Sequence, residues 1–304
     1  MKFRLLENVS YSARNEPFSQ HTRRTLVESH GISAVDFRCS AGVERAGPEE
    51  PNPTHSIVFV RRGVFGRTHR RENFVADPNH ILFFNKSEPY RYSHPIPGGD
   101  DCTILTIDAT IAPDLVAVHS PRDAERLEAP FRIGYAPCSN RAAWLHYELL
   151  GLLRRQASLL SLEDALSELA HEALRSAYES LERIRQTKPL TFGAMRRRYE
   201  LCESVKVTVN ERIATLPSLR ELADDLNCSP FHLSRLFHQT TGMSLRRYVS
   251  RLRASMAAER LAKGQRDLTD LALELGFSDH SHFTNAFRKE WGVPPSRFRA
   301  RRFI

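Results

Sequence analysis

The 304-residue sequence has no run of 18 or more apolar residues, and we therefore expect no transmembrane helix and no membrane partner. Its first residues, MKFRLLENVSYSARNEPF, lack the apolar segment of a signal peptide, so we expect a cytoplasmic protein. Because 41% of the residues are hydrophobic and 26% are charged, the composition is that of a globular protein and not of a disordered one. The length is enough for two ordinary domains.

Cysteine is also scarce, and its five copies are scattered: Cys39, Cys102, Cys138, Cys202 and Cys228. An odd number without a CxxC pair argues against a disulfide framework and for reduced thiols. The sequence contains no cysteine cluster with metal-ligand spacing. It therefore predicts no metal ligand and no cofactor.

The net charge of +8 comes entirely from the last third of the chain. Residues 191–304 contain 20 Lys and Arg against 12 Asp and Glu, whereas residues 1–190 contain 24 of each sign. A polyanionic partner for the last third is the natural hypothesis. The alternative is a basic surface that only faces solvent.

Residues 30–110 contain short runs rich in β-branched and aromatic residues, separated by turn sequences rich in Gly, Pro, Asn and Asp. The clearest runs are HSIVFVRRG (55–63), HILFFN (80–85) and CTILTID (102–108). Short strands with regular turns predict a β-sandwich or a small barrel.

From residue 140 onwards, the spacing of the apolar residues becomes that of a helix. It predicts an antiparallel pair of helices over residues 140–156 and 161–185, with Ser161 and Asp164 as an approximate capping signal. The pair forms either a dimer interface or a cover for the sheet, and the sequence leaves both readings open. We place a linker at residues 187–195, because TKPLTFG holds Pro and Gly between helical patterns. The predicted domains are residues 1–186 and 196–304.

A repeat dominates the second domain. LADDLNCSPFHLSRLFHQTTG, from Leu222, matches LALELGFSDHSHFTNAFRKEWG, from Leu271, at a shift of 49 to 50 residues. Each copy predicts a short helix, a tight turn and a second helix. That arrangement is the helix-turn-helix unit, whose second helix enters the major groove of DNA.

The two copies have corresponding local signals. In order, these are a tight turn at Asn227 or Gly276, a helix N-cap at Ser229 or Ser278, and a helix end at Gly242 or Gly292. Between the copies, MSLRRYVSRLRASMAAERLAKG predicts a linker helix of about 18 residues, or roughly 27 Å. That length approaches the separation of ~34 Å between successive major-groove faces.

The polar faces of the two second helices carry side chains that suit DNA. Arg235 can make paired hydrogen bonds with guanine and Asn285 with adenine, while Phe231 can pack on a thymine methyl group. Arg288 and Lys289 lie near a helix end and suit phosphates better than bases. The alternative is an ordinary polar face in a helical bundle.

Residues from about 196 to 302 resemble the DNA-binding domain of AraC-family transcription regulators. The resemblance covers LAxxLNCSPFHLSRLF, the linker helix, DLALELGFSDHSHFTNAFRKEWG and the tail VPPSRFR. It implies base contacts from Phe231, Ser234, Arg235, His280, Ser281, His282 and Asn285. We expect DNA backbone contacts from His238, Gln239, Arg246, Arg247, Arg288 and Lys289. The expected partners are double-stranded DNA, a second copy of the chain and RNA polymerase.

In this family the N-terminal part is often a cupin-like β-barrel that binds a small effector and is followed by dimerising helices. Residues 30–186 are compatible with that order, so the predicted fold is α+β and multidomain. It comprises a cupin-like β-barrel with two dimerisation-type helices, and then an all-α domain of two helix-turn-helix units joined by a linker helix. Gly63 and His69 fit the start of the cupin metal motif, but Arg71 stands where a second His belongs and cannot ligate a metal.

The most distinctive N-terminal stretch is EPYRYSHPIPGGDDC, residues 88–102. It concentrates hydrogen-bonding side chains beside a Gly-Gly turn, and from it we predict an effector site lined by Tyr90, Tyr92, His94 and Cys102. An ordinary strand-turn-strand with packed aromatic residues is the alternative.

The leading hypothesis is a sequence-specific, effector-controlled, dimeric transcription regulator without catalytic residues. One alternative is an alkyl-transfer DNA repair enzyme, which needs an activated cysteine nucleophile. The other is an architectural DNA-bending protein, although bending alone would not need a large neutral N-terminal domain.

Overall fold

The computed structural model describes residues 19–44, 46–69, 72–185 and 192–300. They form two compact units that divide between Leu181 and Glu182, with residues 77–79 grouped in the second unit. Most of the predicted linker lies outside the described residues. Its last four residues, 192–195, already belong to a helix.

In its described residues, the first unit contains ten strands. They are β1 (Ser19–Ser29), β2 (Ile32–Ala41), β3 (Glu50–Pro51), β4 (His55–Gly63), β5 (Phe65–His69), β6 (Glu72–Ala76), β7 (His80–Phe84), β8 (Pro89–Ser93), β9 (Asp100–Ile107) and β10 (Tyr135–Pro137). Six form one sheet in the order β1-β2-β9-β4-β7-β10, and four form another in the order β3-β8-β5-β6. All recorded pairings are antiparallel.

The two sheets contact each other through aromatic side chains. Phe84 of β7 lies 5.0 Å from the ring of Tyr90 in β8, and the guanidinium of Arg67 lies over the same Phe84 ring at 4.3 Å. These contacts favour the sandwich form of the predicted β fold. The cupin-like class of that fold stays a prediction.

Four helices complete the first unit: α1 (Ala112–Ala117), α2 (Pro121–Ala124), α3 (Asn140–Arg154) and α4 (Leu159–Arg185). The helix pair α3 and α4 was predicted, but the capping signal at Ser161 was wrong. Helix α4 begins at Leu159, and the Ser158 hydroxyl accepts a hydrogen bond from the Ser161 N–H at 3.3 Å. Ser161 therefore lies inside the first turn.

The main core of the first unit lies between one face of the six-stranded sheet and the helices. Ile57, Phe83 and Leu105 from the strands pack in one cluster with Leu149 of α3 and Leu166 of α4. The helix pair therefore covers the sheet, which was one of the two readings left open. Burial of a side chain of this kind stabilises the fold by about 1.5–3 kcal/mol.

The second unit is all helical in its described residues. Its helices are α5 (Phe192–Glu211), α6 (Leu219–Asp225), α7 (Pro230–Thr241), α8 (Leu245–Ala262), α9 (Leu268–Glu274), α10 (His280–Trp291) and α11 (Pro295–Ala300). Helix α5 packs its Cys202, Val205 and Val209 into the core of the first repeat copy. An aromatic cluster of Phe283, Phe287, Trp291 and Phe298 fills the core of the second copy.

Among the described residues, no helix combines the length and the apolar character needed to cross a lipid bilayer.

Candidate nucleic-acid interface

The first repeat copy forms a helix-turn-helix from α6 and α7. Asn227 makes the turn with a φ of 51°, a left-handed conformation that Asn tolerates. Ser229 then caps α7, since its hydroxyl accepts a hydrogen bond from the His232 N–H at 3.2 Å. The helix ends at Gly242 with a φ of 74°. The turn, the cap and the helix end of this copy are all as predicted.

The second copy forms the same unit from α9 and α10. Gly276 makes its turn with a φ of 77°, and Gly292 ends α10 with a φ of 71°. The predicted cap was wrong here. Asp279 and not Ser278 caps α10, because the Asp279 carboxylate accepts a hydrogen bond from the His282 N–H at 2.7 Å. The Ser278 hydroxyl instead donates to Asp279 at 2.9 Å.

Hydrogen bonds from the start of α10 hold Asp279 in its charged form. The His282 N–H and the Ser278 hydroxyl lower the pKa of this carboxyl below its ordinary value. The first copy has a neutral hydroxyl at the same position. The two second helices therefore begin with different charge, although their backbones are alike.

The side chains predicted to read bases lie at the starts of the two second helices. Ser234 is half-buried. The other six are exposed, namely Phe231, Arg235, His280, Ser281, His282 and Asn285. Phe231 is 76% exposed, so its ring is accessible to a partner. The opposite faces are buried in the cores through Leu233 and Phe237, and through Phe283 and Phe287.

The side chains predicted to contact the DNA backbone are also exposed. They are His238 and Gln239 near the end of α7, Arg246 and Arg247 at the start of α8, and Arg288 and Lys289 in α10. Cationic side chains on the solvent face can neutralise phosphates without contributing to the core.

Helix α8 joins the two copies and is buried against both. Tyr248 packs its ring edge-on to Phe237 of α7 at 5.2 Å, and the indole N–H of Trp291 in α10 donates to the carbonyl of Ala254 at 3.2 Å. The predicted linker helix is therefore a packed element with 18 residues. It packs against the cores of both copies.

Arg253 of α8 holds both copies at once. Its guanidinium donates to the carbonyl of Ile213 at 2.7 Å, beside the first copy, and to the carbonyl of Gly276 at 2.7 Å, in the turn of the second. Arg251 is buried and lies 3.6 Å from Glu290. The sequence placed these two arginines in the linker helix and assigned them no role. Their roles within the unit depend on contacts that no local pattern reveals.

In the first unit, the predicted effector residues lie in two neighbouring sets of contacts. Tyr90 is half-buried and packs on Phe84, while His94 and Cys102 are fully buried near Asp100. The Tyr92 ring lies 6.1 Å from His94. A separate cavity is lined by Phe83, Phe131, Arg132, Ile133, Leu174, Ala177 and Tyr178, none of which was predicted.

His69, the second residue matching the cupin metal motif, already has protein partners. Its Nδ1 lies 2.8 Å from the carbonyl oxygen of Pro89, and its Nε2 lies 3.0 Å from Glu88. Arg71 lies outside the described residues.

Comparison with known proteins identifies the C-terminal repeat. Residues 222–301 match a family model described as a helix-turn-helix domain. The chain is 28% identical over 142 residues to the uncharacterized HTH-type transcriptional regulator YfiF of Bacillus subtilis, covering 45% of this chain and 43% of that protein.

Two further relatives match a shorter stretch. The bifunctional transcriptional activator/DNA repair enzyme AdaA of Bacillus subtilis is 32% identical over 82 residues, 27% of this chain and 39% of AdaA. The HTH-type transcriptional activator RhaS of Escherichia coli is 37% identical over 78 residues, 26% of this chain and 28% of RhaS. The chain thus spans less than half the length of each of these relatives.

Proposed function

We propose, from the premise that the C-terminal repeat is an AraC-type helix-turn-helix domain, that this protein is a sequence-specific transcription regulator. The observation that carries the proposal is the pair of exposed polar helix starts, one in α7 and one in α10, which are joined by the buried helix α8. Two reading helices on one chain suit two adjacent segments of the major groove. Its partner is double-stranded DNA, and we place its activity in the cytoplasm.

We assign base-reading roles in both copies from the hydrogen-bonding and apolar character of the side chains. In the first, Arg235 binds guanine, Phe231 contacts a thymine methyl group and Ser234 makes a single hydrogen bond. In the second, Asn285 binds adenine, and His280, Ser281 and His282 make single contacts. Because each paired hydrogen bond is worth about 1–3 kcal/mol, losing one weakens specific binding about 5- to 150-fold.

The phosphate contacts are assigned to His238, Gln239, Arg246, Arg247, Arg288 and Lys289. These interactions do not depend on base sequence. They account for the location of the net positive charge, and they weaken as salt rises because bound counterions are released on binding.

The first unit is assigned the control of DNA binding by a small-molecule effector, and the working form is a homodimer that acts on RNA polymerase. Helix α4 begins with Leu159 and Leu160, which are 43% and 68% exposed. Two adjacent apolar side chains in solvent support an interface with a second copy.

An alkyl-transfer repair enzyme is the second candidate, favoured by the similarity to AdaA. Such an enzyme needs a cysteine with a lowered pKa. Burial instead raises the pKa of Cys102 and Cys228, and it raises that of Cys202 to about 11. These shifts argue against Cys102, Cys202 and Cys228 as that nucleophile, and we propose a regulator and not an enzyme.

The proposal is tested by binding the purified protein to sheared host DNA and sequencing the retained fragments. We expect discrete fragments for the wild type and a loss of that enrichment for Arg235→Ala and Asn285→Ala. The matched control is Arg122→Ala, which removes an exposed arginine from α2 in the first unit. Uniform retention of all fragments, equal in the wild type and both variants, would contradict sequence-specific binding.

A further inference from the structure

Three buried side chains of different chemistry converge in the first unit. They are Cys39 at the end of β2, His94 just after β8 and Asp100 at the start of β9, and they are only 4%, 2% and 3% exposed. One donor atom from each, namely the thiol sulfur, a ring nitrogen and a carboxylate oxygen, lies within 4.8 Å of the other two. Sulfur, nitrogen and oxygen donors together are the ligands that zinc accepts.

The backbone is shaped to bring these residues together. Strands β2 and β9 pair with Arg38 opposite Asp101, which places Cys39 beside Asp100. The turn before β9 closes tightly on β2, because the Gly98 N–H donates to the Ala41 carbonyl at 2.9 Å. Gly99 has a φ of 62°, and a Cβ there would lie 2.2 Å from the Cys39 carbonyl oxygen. Only glycine fits this approach.

The imidazole of His94 is oriented from both sides. Its Nε2 lies 3.0 Å from Oδ1 of Asp100, within the cluster, and its Nδ1 lies 3.2 Å from Oε2 of Glu44, outside it. A carboxylate on the second ring nitrogen is the usual partner of a metal-binding histidine, since it sets the tautomer and the ring plane. The other oxygen of Glu44 is buried without a hydrogen-bond partner among the described residues.

The cluster carries more acidic than basic groups. Within the described residues, the ion pairs of Asp100 and Glu44 are both with His94, whereas the nearby Arg62 pairs with Asp101. The two carboxylates on either side of the imidazole therefore favour a positive charge in the cluster.

We propose that Cys39, His94 and Asp100 are the ligands of a divalent transition-metal ion of the zinc type, with Glu44 as the positioning residue for His94. Tetrahedral zinc with bonds of about 2.0–2.3 Å holds its ligand atoms about 3.3–3.8 Å apart. Small side-chain movements therefore close the site around the ion. The thiol of Cys102, 3.1 Å from Oδ2 of Asp100, orients that carboxylate from behind.

Metal binding needs the deprotonated form of each ligand atom. The Cys39 thiol loses its proton and Nε2 of His94 carries none, while Nδ1 carries a proton and donates it to Glu44. Because the ion competes with these protons, its apparent affinity falls as the pH is lowered. This site uses none of the residues that match the cupin metal motif, and it does not depend on the proposed DNA-binding function.

The site is tested on the purified full-length protein, kept reduced, freed of metal with a chelator and titrated with Co²⁺ as a spectroscopic substitute for zinc. We expect one ion per chain, a sulfur-to-cobalt charge-transfer band and loss of that band when Zn²⁺ is added. Cys39→Ser should remove the band, and His94→Gln should weaken binding at least tenfold. The matched control is Cys138→Ser, which changes another buried cysteine of the first unit.

The outcomes separate the metal site from the fold and from DNA binding. Circular dichroism without metal checks that each variant is folded, and if Cys39→Ser is not, the His94→Gln titration decides. Absence of the band in the wild type, or its survival in both variants, would overturn the proposal. DNA binding measured in the presence of chelator reports on the helical unit without metal. If the protein does not bind DNA, the result of the cobalt titration still stands.

Discussion

The first helix-turn-helix copy makes its turn with Asn227, whereas the second uses Gly276. Both residues adopt positive φ, but their surroundings differ. A Cβ at Gly276 would lie 2.5 Å from the carbonyl oxygen of Ala214 and 2.7 Å from the guanidinium of Arg253. The second turn is therefore constrained by neighbouring backbone as well as by its own conformation. Copies with the same local fold can thus differ in which positions tolerate change.

The largest effect should come from Gly276→Ala, with Asn227→Ala as its matched control. Gly276→Ala places a Cβ in a left-handed conformation, at a cost of about 1–2 kcal/mol, whereas Asn227 already carries a Cβ there, so Asn227→Ala should cost less. Gly276→Ala adds a clash worth about 1–3 kcal/mol. Urea unfolding, followed by Trp291 fluorescence in a Trp144→Phe background, measures the difference. Equal destabilisation by the two substitutions would contradict the role given to the close backbone approach.

Arg253→Ala tests whether the two copies are held together through α8. Its bonds to the Ile213 and Gly276 carbonyls should be worth about 1.5–3 kcal/mol, because a charged donor makes them. We expect weaker binding to DNA with two half-sites and little change for a single half-site. A gel-shift titration with both DNAs measures this, and Arg212→Ala is the control, since it removes an exposed arginine of the same unit that has no assigned DNA contact. Equal loss on both DNAs would argue against the bridging role.

The N-caps of α7 and α10, Ser229 and Asp279, should differ in how their contribution to stability depends on pH. We expect this effect to be smaller than the two above. Ser229→Ala should destabilise the protein by about 1 kcal/mol at every pH, since a neutral hydroxyl makes the cap. The pKa of Asp279 is lowered in the folded protein, so its contribution is complete above the ordinary Asp pKa and is lost as the pH falls through the lowered value. The destabilisation by Asp279→Ala should therefore shrink in acid, which urea unfolding between pH 3 and pH 7 would measure. A pH-independent difference would show that charge has no part in this cap.

Most local features of the second unit could be predicted from sequence. Asn227, Gly276, Gly242 and Gly292 were identified because positive φ restricts the residue type at a turn or helix end. The cap of α10 was misassigned because Ser278 and Asp279 are adjacent and both are good capping residues. Only the backbone geometry distinguishes them.

Less of the first unit could be predicted. The strands and the helix pair follow from periodicity, but the neighbours of each side chain do not. Tyr90, Tyr92, His94 and Cys102 were grouped because they are close in sequence. The fold brings His94 and Cys102 to Asp100, sets the Tyr92 ring beside His94, and packs Tyr90 on Phe84. Cys39 was missing from that group, because strand register rather than sequence distance places it there.

The sequence by itself determined the two helix-turn-helix copies, their exposed faces and the basic character of the last third, since periodicity, turn residues and charge act locally. The tertiary structure decided that Arg253 holds both copies through backbone carbonyls. It also decided that Cys39, His94 and Asp100 converge, although β2 and β9 are far apart in the chain. Contacts of that kind depend on strand register and helix packing, which a single sequence does not encode in any local pattern.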